Sequence, residues 1–226
     1  MLSLLSRPSP QRALRLPARA HISRVDESDP LPWYYLPLVG WLYRERLQMA
    51  LDLLGPGPFD RVLEAGYGSG ILLPTLATRA RELHAMDLHR QARVVHGMLA
   101  AERTKAELTV GDVCHLGYAN ATFDAVVCVS TLEHLHGDEL ERAVGEFRRV
   151  LRPSGTAVVG IPASGWVMDL LFRAIGFAEI GKHHVSTHRD IEAALHRHFR
   201  VDGARHMPGV APGAAAVYTV FRGRAH

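Results

Sequence analysis

The stretch Arg61–Gly70, RVLEAGYGSG, decides the fold of this chain. A short apolar strand runs into an acid, Glu64, and three glycines then alternate with other residues: Gly66, Gly68 and Gly70. Glycines at this spacing allow sharp turns and let a ligand approach bare main chain, because no Cβ intervenes. A second apolar run ends at Asp87, and an acid about 20 residues after such a loop is placed to bind ribose hydroxyls. The segment therefore predicts a ligand that carries a ribose.

Two cofactors that carry a ribose compete for this loop. The dinucleotide fingerprint G-x-G-x-x-G places its third glycine where this chain has Ile71. The pattern present is E-x-G-x-G-x-G, from Glu64 to Gly70, which resembles motif I of the class I S-adenosylmethionine-dependent methyltransferases. This resemblance favours S-adenosylmethionine as the cofactor and S-adenosylhomocysteine as the product.

The resemblance continues downstream in the order expected for that family. Asp87 lies in LHAMDLH, and GDV at 111–113 follows the apolar run LTV. Residues 123–135, FDAVVCVSTLEHL, match the fourth-strand motif, and residues 147–162, FRRVLRPSGTAVVGIP, match the helix, turn and fifth strand. Each piece alone is weak, but the ordered set is specific and most resembles the small-molecule, type 11-like subgroup.

The same resemblance assigns roles on the cofactor. The three glycines give backbone approach to its methionine and ribose portions, while Glu64 fixes the loop and receives the ammonium group. Asp87 accepts hydrogen bonds from both ribose hydroxyls, and Leu88 flanks the adenine. Asp112 accepts from the exocyclic adenine amine, and the Val113 amide donates to the ring. These are the expected cofactor-binding residues, together with Ser130, which borders the sulfonium.

His134 is the best candidate for a base. Glu133 and His134 follow the fourth strand at the open, ligand-binding end of the sheet. The alternative is that His134 only supports the cofactor loop. Other histidines have short spacings, at 134/136, 183/184 and 196/198, but this subgroup needs no metal and we expect none.

Aromatic residues crowd the segment before motif I: Trp33, Tyr34, Tyr35, Trp41 and Tyr43. One interpretation is that they seal a helix over residues 39–54 onto the sheet. The other is a hydrophobic substrate wall that includes Tyr34 and Trp41, or a lid over residues 31–43 that contacts a membrane peripherally, since Trp and Tyr favour half-wet positions.

A second apolar segment, residues 163–182 with Trp166, predicts another wall of the acceptor pocket. By resemblance, His183 and His184 lie beside the acceptor. Walls this apolar favour a small or medium lipophilic or aromatic molecule, methylated on oxygen or carbon, such as a natural product or a quinone.

Strand-like and helix-like segments alternate along the chain, which predicts a parallel sheet covered on both faces. Two last strand-like runs joined by a short connection predict an antiparallel hairpin. The expected fold is therefore α/β and Rossmann-like, with a seven-stranded, mostly parallel sheet. Strands are predicted at 61–65, 82–87, 107–110, 123–130, 155–161, 199–207 and 214–222, and helices at 39–54, 70–79, 89–102, 138–150 and 188–198. We expect a single domain over residues 30–226, comprising a cap (30–58), a cofactor core (59–162) and an acceptor-side insertion with the hairpin (163–226).

Charge is distributed unevenly. Residues 1–25 carry five arginines and no acid, so the net charge of +3 becomes −2 without these five. Nothing in the body therefore favours a nucleic-acid surface. We expect residues 1–29 to form a basic, disordered tail in a cytoplasmic protein, with a mitochondrial leader as the alternative. Two cysteines in 226 residues make no disulfide framework, which fits a reducing compartment.

Three classes of function remain open. The favoured one is a small-molecule methyltransferase that uses in-line displacement. The second is a non-catalytic partner that binds the cofactor on the same fold, and the third is a nicotinamide-dependent oxidoreductase. Ile71 and the terminal hairpin oppose the third class.

Overall fold

The computed structural model describes residues 13–27, 29–37, 39–162, 185–208 and 216–226. Over these residues the chain forms a seven-stranded sheet with the order β3-β2-β1-β4-β5-β7-β6. Strands β1 to β5 are parallel, and β7 lies antiparallel between β5 and β6. The strands are β1 Phe59–Ala65, β2 Ala80–Asp87, β3 Glu107–Val110, β4 Phe123–Val129, β5 Leu151–Pro162, β6 Arg200–Met207 and β7 Tyr218–Arg224. This confirms the expected mostly parallel sheet with a C-terminal antiparallel hairpin.

Helices cover both faces of the sheet. They are α1 Leu31–Tyr34, α2 Val39–Leu54, α3 Leu73–Leu76, α4 Ala92–Ala101, α5 Gly137–Val150 and α6 His188–His198, with a 3₁₀ turn at Leu132–His134 between β4 and α5. Helices α1 to α4 pack on one face, and α5 and α6 pack on the other. In β1 the buried side chain of Val62 joins the first core and that of Leu63 joins the second. Burial on both faces is why the strands read as continuous apolar runs.

The strand order reverses between β1 and β4, which both continue into loops at the same edge of the sheet. Ligands of open α/β sheets bind in the crevice outside the carboxyl ends of the strands at such a switch point. The registers bring the predicted cofactor residues to this edge: Glu64 lies opposite Ala85, and Asp87 lies opposite Val110. The fold therefore places residues from three separate motifs around one crevice.

The predicted helix over residues 70–79 is wrong in length, since only Leu73–Leu76 are α-helical. Pro74 lies at the start of this helix and β2 already begins at Ala80, so one helical turn is all that fits. Proline has no N–H to donate and is tolerated only in the first turn of a helix. The last strand also begins later than predicted, at Tyr218, and runs on to Arg224.

The prediction of a disordered tail does not hold for the described part of residues 1–29. The side chain of Ile22 is 2% exposed and belongs to the core that covers one face of the sheet. Glu102 at the end of α4 accepts hydrogen bonds from the Arg15 guanidinium and the Ala18 amide, each at 2.8 Å, and its carboxylate contacts the His21 ring. The arginine-rich composition predicts a solvated segment. The structure shows instead that the Glu102 carboxylate holds Arg15, Ala18 and His21 against the domain.

Helix α2 is fixed at its C-terminal end by a buried arginine. The guanidinium of Arg79 donates to the carbonyl oxygens of Leu51 at 2.6 Å and Gly55 at 2.8 Å. The last carbonyls of a helix have no partner within the helix and carry partial negative charge. A guanidinium at this position both donates hydrogen bonds to them and balances that charge. This contact holds α2 against the end of the sheet from which β2 starts.

Candidate cofactor and acceptor site

The glycine loop after β1 is held by Asp87 and His89. The carboxylate of Asp87 accepts a hydrogen bond from the Gly68 amide at 2.8 Å and another from the His89 amide at 3.2 Å. The His89 ring contacts the Gly68 carbonyl oxygen at 2.8 Å through Nε2. Each carboxylate oxygen can accept more than one hydrogen bond. Asp87 therefore shapes the loop and keeps lone pairs for ligand hydroxyls.

Two of the glycines are required for different reasons. Gly66 has φ +79°, and a Cβ there would lie 2.1 Å from Oγ1 of Thr131, so this glycine allows the loop to touch the residue after Ser130. Gly68 has φ +51°, and a Cβ there would meet nothing within 4 Å. Bare main chain at Gly68 therefore faces open space, as a backbone that a ligand approaches must.

Glu64 is a buried acid with a free oxygen. It is 4% exposed, and its Oε2 has no hydrogen-bond partner among the described residues. Burial, together with the charge of Asp87, raises the pKa of the Glu64 carboxyl well above its ordinary value. A buried carboxylate beside a second one is unfavourable unless a cation joins them. This pair therefore forms a place for a positively charged ligand group, and we call Glu64, the loop 66–70, Asp87 and His89 the acidic loop.

The predicted adenine contacts lie further along the same edge. Asp112 follows β3; its Oδ1 accepts a hydrogen bond from the Cys114 amide at 2.8 Å, and its Oδ2 lies 3.9 Å from Nδ1 of His115. The Val113 side chain is buried, whereas Leu88 is 66% exposed beside Asp87. The structure thus brings Asp87, Leu88 and Asp112 to the ends of neighbouring strands, and their contacts with a cofactor remain predictions.

A second group of residues on the other side of β4 was not foreseen. The Arg46 guanidinium donates to the Tyr34 hydroxyl at 2.5 Å and to Oγ of Ser130 at 3.4 Å. Its Cζ lies 4.7 to 5.8 Å from the ring centroids of three tyrosines, at positions 34, 43 and 218. The Tyr218 hydroxyl lies 2.8 Å from Oγ of Ser130, whose φ of +56° is rare for a residue with a side chain. We call Arg46, these tyrosines, Ser130 and Glu133 the arginine cluster.

Arg46 could have been found in the sequence. Leu42, Arg46, Met49 and Leu53 follow the helical period, so a charged residue interrupts the apolar stripe of α2. Its Nε is buried and has no hydrogen-bond partner among the described residues. Its hydrogen bonds go to hydroxyl groups, and no carboxylate in the described part of the chain forms an ion pair with it. Arg46 therefore places a buried positive charge next to Ser130, and this charge also acts on the Glu133 carboxylate.

Of the pair that follows β4, the buried member is Glu133 rather than His134. The His134 side chain is exposed, while Glu133 is 3% exposed and its Oε2 has no partner among the described residues. Burial raises the pKa of Glu133 to about 7, although its own backbone amide and Arg46 lower it. The base role of His134 stays a prediction that this placement does not favour.

The predicted acceptor residues have different settings. Tyr34 is buried and bonds to Arg46, which agrees with a structural role for this ring, whereas Trp41 is 55% exposed. Trp166, His183 and His184 lie outside the described residues. In the described part of the chain, no three His, Cys, Asp or Glu side chains come together to hold a metal, and no helix is long and apolar enough to cross a bilayer.

The fold and the acidic loop define a Rossmann-like protein that binds a nucleoside cofactor. Residues 63–159 match the family described as "Methyltransferase domain". A probable S-adenosylmethionine-dependent methyltransferase from Mycolicibacterium smegmatis is 34% identical over 101 residues, which are 45% of this chain and 37% of the relative. A malonyl-[acyl-carrier protein] O-methyltransferase from Geobacter sulfurreducens is 35% identical over 130 residues, 56% of this chain and 47% of that one. Among solved structures, the N-methyltransferase NodS from Bradyrhizobium japonicum in complex with S-adenosylhomocysteine has a TM-score of 0.65 at 18% identity, covering 89% of this chain and 94% of that one.

These matches support a class I S-adenosylmethionine-dependent methyltransferase of the type 11 kind. The matches to the two curated relatives span less than half of those proteins' length. The match to a methyltransferase domain decides between the two ribose-bearing cofactors in favour of S-adenosylmethionine, and the site fits it. The unpartnered Oε2 of Glu64 suits the ammonium group, and the open main chain at Gly68 suits a ligand lying against it.

Proposed function

We propose that this protein transfers the methyl group of S-adenosylmethionine to a small or medium lipophilic or aromatic acceptor, on oxygen or carbon. The observation that carries the proposal is the acidic loop, in which Glu64 keeps a buried, unpartnered oxygen while Asp87 holds the Gly68 amide at 2.8 Å. A dinucleotide offers no ammonium group to Glu64. The methionine part of S-adenosylmethionine does.

Different residues of the chain would bind different parts of the cofactor. Glu64 would receive the ammonium group, and Arg46 would receive the carboxylate as a charge-assisted pair. Asp87 would accept from the ribose hydroxyls, with Leu88 against the adenine and Asp112 and Val113 at its polar edge. When bound, the cofactor supplies an electrophilic methyl group that an acceptor atom displaces in one in-line step. Ser130 would lie closest to that methyl group, between the acidic loop and Arg46.

The protein's remaining tasks are to orient the acceptor and to exclude water. Holding two reacting atoms in line lowers the barrier by several kcal/mol without any covalent intermediate on the enzyme. The rings of Tyr34, Tyr43 and Tyr218 surround Arg46 and would supply an apolar boundary for the acceptor beside Ser130. An aromatic boundary supports a lipophilic acceptor such as a natural product or a quinone. The relative that methylates a malonyl-[acyl-carrier protein] supports oxygen as the acceptor atom.

Titration calorimetry with S-adenosylmethionine, S-adenosylhomocysteine and NAD tests the proposal. We expect both methionine-derived nucleosides to bind in the micromolar range and NAD not to bind. Asp87→Ala should weaken binding about 100-fold, because two charge-assisted hydrogen bonds are lost. Asp60→Ala, which removes an exposed acid at the start of β1, is the matched control and should bind as the wild type does.

Two other results of the binding and transfer experiments would contradict or change the proposed function. Binding of NAD alone, or of no nucleoside, would contradict the proposal. Tight cofactor binding without methyl transfer to a wide panel of phenols, quinols and acids would favour a non-catalytic cofactor-binding partner instead.

A further inference from the structure

Glu133 is a buried acid that the cofactor contacts above do not use. It stands in the 3₁₀ turn that follows β4, three residues after Ser130. Its backbone carbonyl accepts hydrogen bonds from the amides of Val185 at 2.9 Å and Ser186 at 3.2 Å, so its main chain is fixed from the side of α6. Its Oε2 has no partner among the described residues although the side chain is 3% exposed. A buried carboxylate oxygen without a partner is rare enough to need an explanation.

The groups that face Glu133 come from three elements. Burial disfavours the Glu133 charge and Arg46 on α2 stabilises it, while burial and the Glu133 charge together raise the pKa of the Tyr218 hydroxyl on β7. The Cys128 thiol on β4 is buried, and the negative charge of Glu133 is one of the causes that raise its pKa. His134, the neighbour in the turn, is exposed. Among the described residues, Arg46 is the cation that acts on Glu133, and Arg46 is also the proposed partner of the cofactor carboxylate.

We infer that Glu133 is the general base of the reaction: its Oε2 takes the proton that the acceptor loses when the methyl group is transferred. The inference rests on the proposed function and names a residue role within it. Two observations support this inference: Glu133 lies in the turn after Ser130, and its Oε2 has no hydrogen-bond partner among the described residues. A pKa of about 7 also suits a base that works near neutral pH.

The step balances in atoms and charge. The acceptor oxygen forms its bond to the methyl carbon with one lone pair, and the carbon–sulfur bond breaks with its electrons left on sulfur. The acceptor O–H bond breaks, and its proton passes to Glu133. One positive charge on sulfur and one negative charge on Glu133 disappear together, so no separated charge is left in a buried site.

This charge balance makes Glu133 responsive to the state of the cofactor. A sulfonium cation near Glu133 lowers the pKa of the carboxyl and ionises it before transfer, whereas the neutral thioether product does not. Glu133 is then a base when substrate is bound and an acid when product is bound. Both ligands carry the same ammonium and carboxylate groups, so Glu64 and Arg46 respond to both alike.

The difference between the two ligands can be measured without knowing the acceptor. Calorimetric titrations of the full chain in buffers of different ionisation enthalpy give the number of protons released on binding. At pH 7, S-adenosylmethionine should release about half a proton more than S-adenosylhomocysteine, because a group with a pKa near 7 is half protonated there. At pH 9 the difference should vanish, because Glu133 is already ionised before the ligand binds.

Glu133→Gln should remove the difference and still bind both ligands, whereas Asp138→Asn, an exposed acid at the start of α5, should keep it. Equal proton release by the two ligands in the wild type overturns the inference, as does a difference that survives in Glu133→Gln or disappears only in His134→Gln. The wild-type pH series decides the matter even where Glu133→Gln does not fold. Failure of both ligands to bind contradicts the proposed function itself, which is a separate result.

Discussion

The two halves of the site have opposite charge and opposite construction. The acidic loop presents two carboxylates, Glu64 and Asp87, and its main contact joins residues 19 positions apart. The arginine cluster presents a guanidinium among three tyrosines, and its contacts join residues 84 and 88 positions apart. We propose that the zwitterionic portion of the cofactor, with its ammonium and carboxylate, lies between them. The comparison contrasts a local motif on one side with a long-range assembly on the other.

Gly66→Ala should have the largest effect, because a Cβ at Gly66 would meet the side chain of Thr131, the residue that follows Ser130. A Cβ at φ +79° costs about 1 to 2 kcal/mol, and its clash with Thr131 brings the total to about 3 kcal/mol or more. Gly68→Ala lacks the clash and should lose only about 1 to 2 kcal/mol of unfolding free energy, yet should bind S-adenosylmethionine poorly because its Cβ stands where the ligand approaches. Urea unfolding and calorimetry of the two variants check this, with Gly55→Ala as a control for strain alone, since φ there is +91° and a Cβ meets nothing. Equal stability of the two loop variants would show that a Cβ at residue 66 does not clash with Thr131.

Arg46→Gln tests the basic half. Removing the guanidinium should weaken S-adenosylmethionine binding about 10- to 100-fold, the loss expected for a charge-assisted pair. Arg46→Lys should recover only part of it, because an ammonium group cannot stack on tyrosine rings and bond Tyr34 and Ser130 at once. Arg81→Gln, an exposed arginine at the start of β2, is the matched control. Calorimetry that finds wild-type affinity in Arg46→Gln would assign the carboxylate of the ligand to another cation.

Glu64→Gln tests the acidic half and should have the smallest effect on affinity, about tenfold, because the amide oxygen still accepts a hydrogen bond. In the ligand-free protein, the same substitution should raise the free energy of unfolding at alkaline pH. The pKa of Glu64 is higher in the folded than in the unfolded protein, so the folded state binds more protons and loses stability as pH rises above about 4.5. Glu64→Gln should lessen this loss and be more stable than the wild type at pH 8. Thermal unfolding between pH 5 and 8 measures it, and a variant less stable at pH 8 would show that the charge of Glu64 is compensated.

The sequence predicts the acidic loop better than the arginine cluster for a physical reason. Glu64, the three glycines and Asp87 lie within 24 residues on consecutive strands, so their spacing already implies their proximity. Arg46, Ser130 and Tyr218 meet only because α2 packs across β4, β5 and β7, and no spacing records that. The predicted helix over residues 70–79 was too long because apolar periodicity was given more weight than Pro74. The expectation for His134 rested on the place of the Glu133–His134 pair after β4, and sequence position alone does not reveal that the 3₁₀ turn buries Glu133 and exposes His134.

The antiparallel course of β7 has a consequence for how the protein folds. A parallel last strand would bring its end to the ligand edge, whereas β7 brings its beginning, Tyr218, opposite Pro162. The contact beside Ser130 is therefore completed by β7, which follows the other six strands along the chain. Loop closure over 88 residues is slower and costs more entropy than closure over 19. We expect the nucleoside-binding loop to take shape early in folding and the contact between Ser130 and Tyr218 to form late.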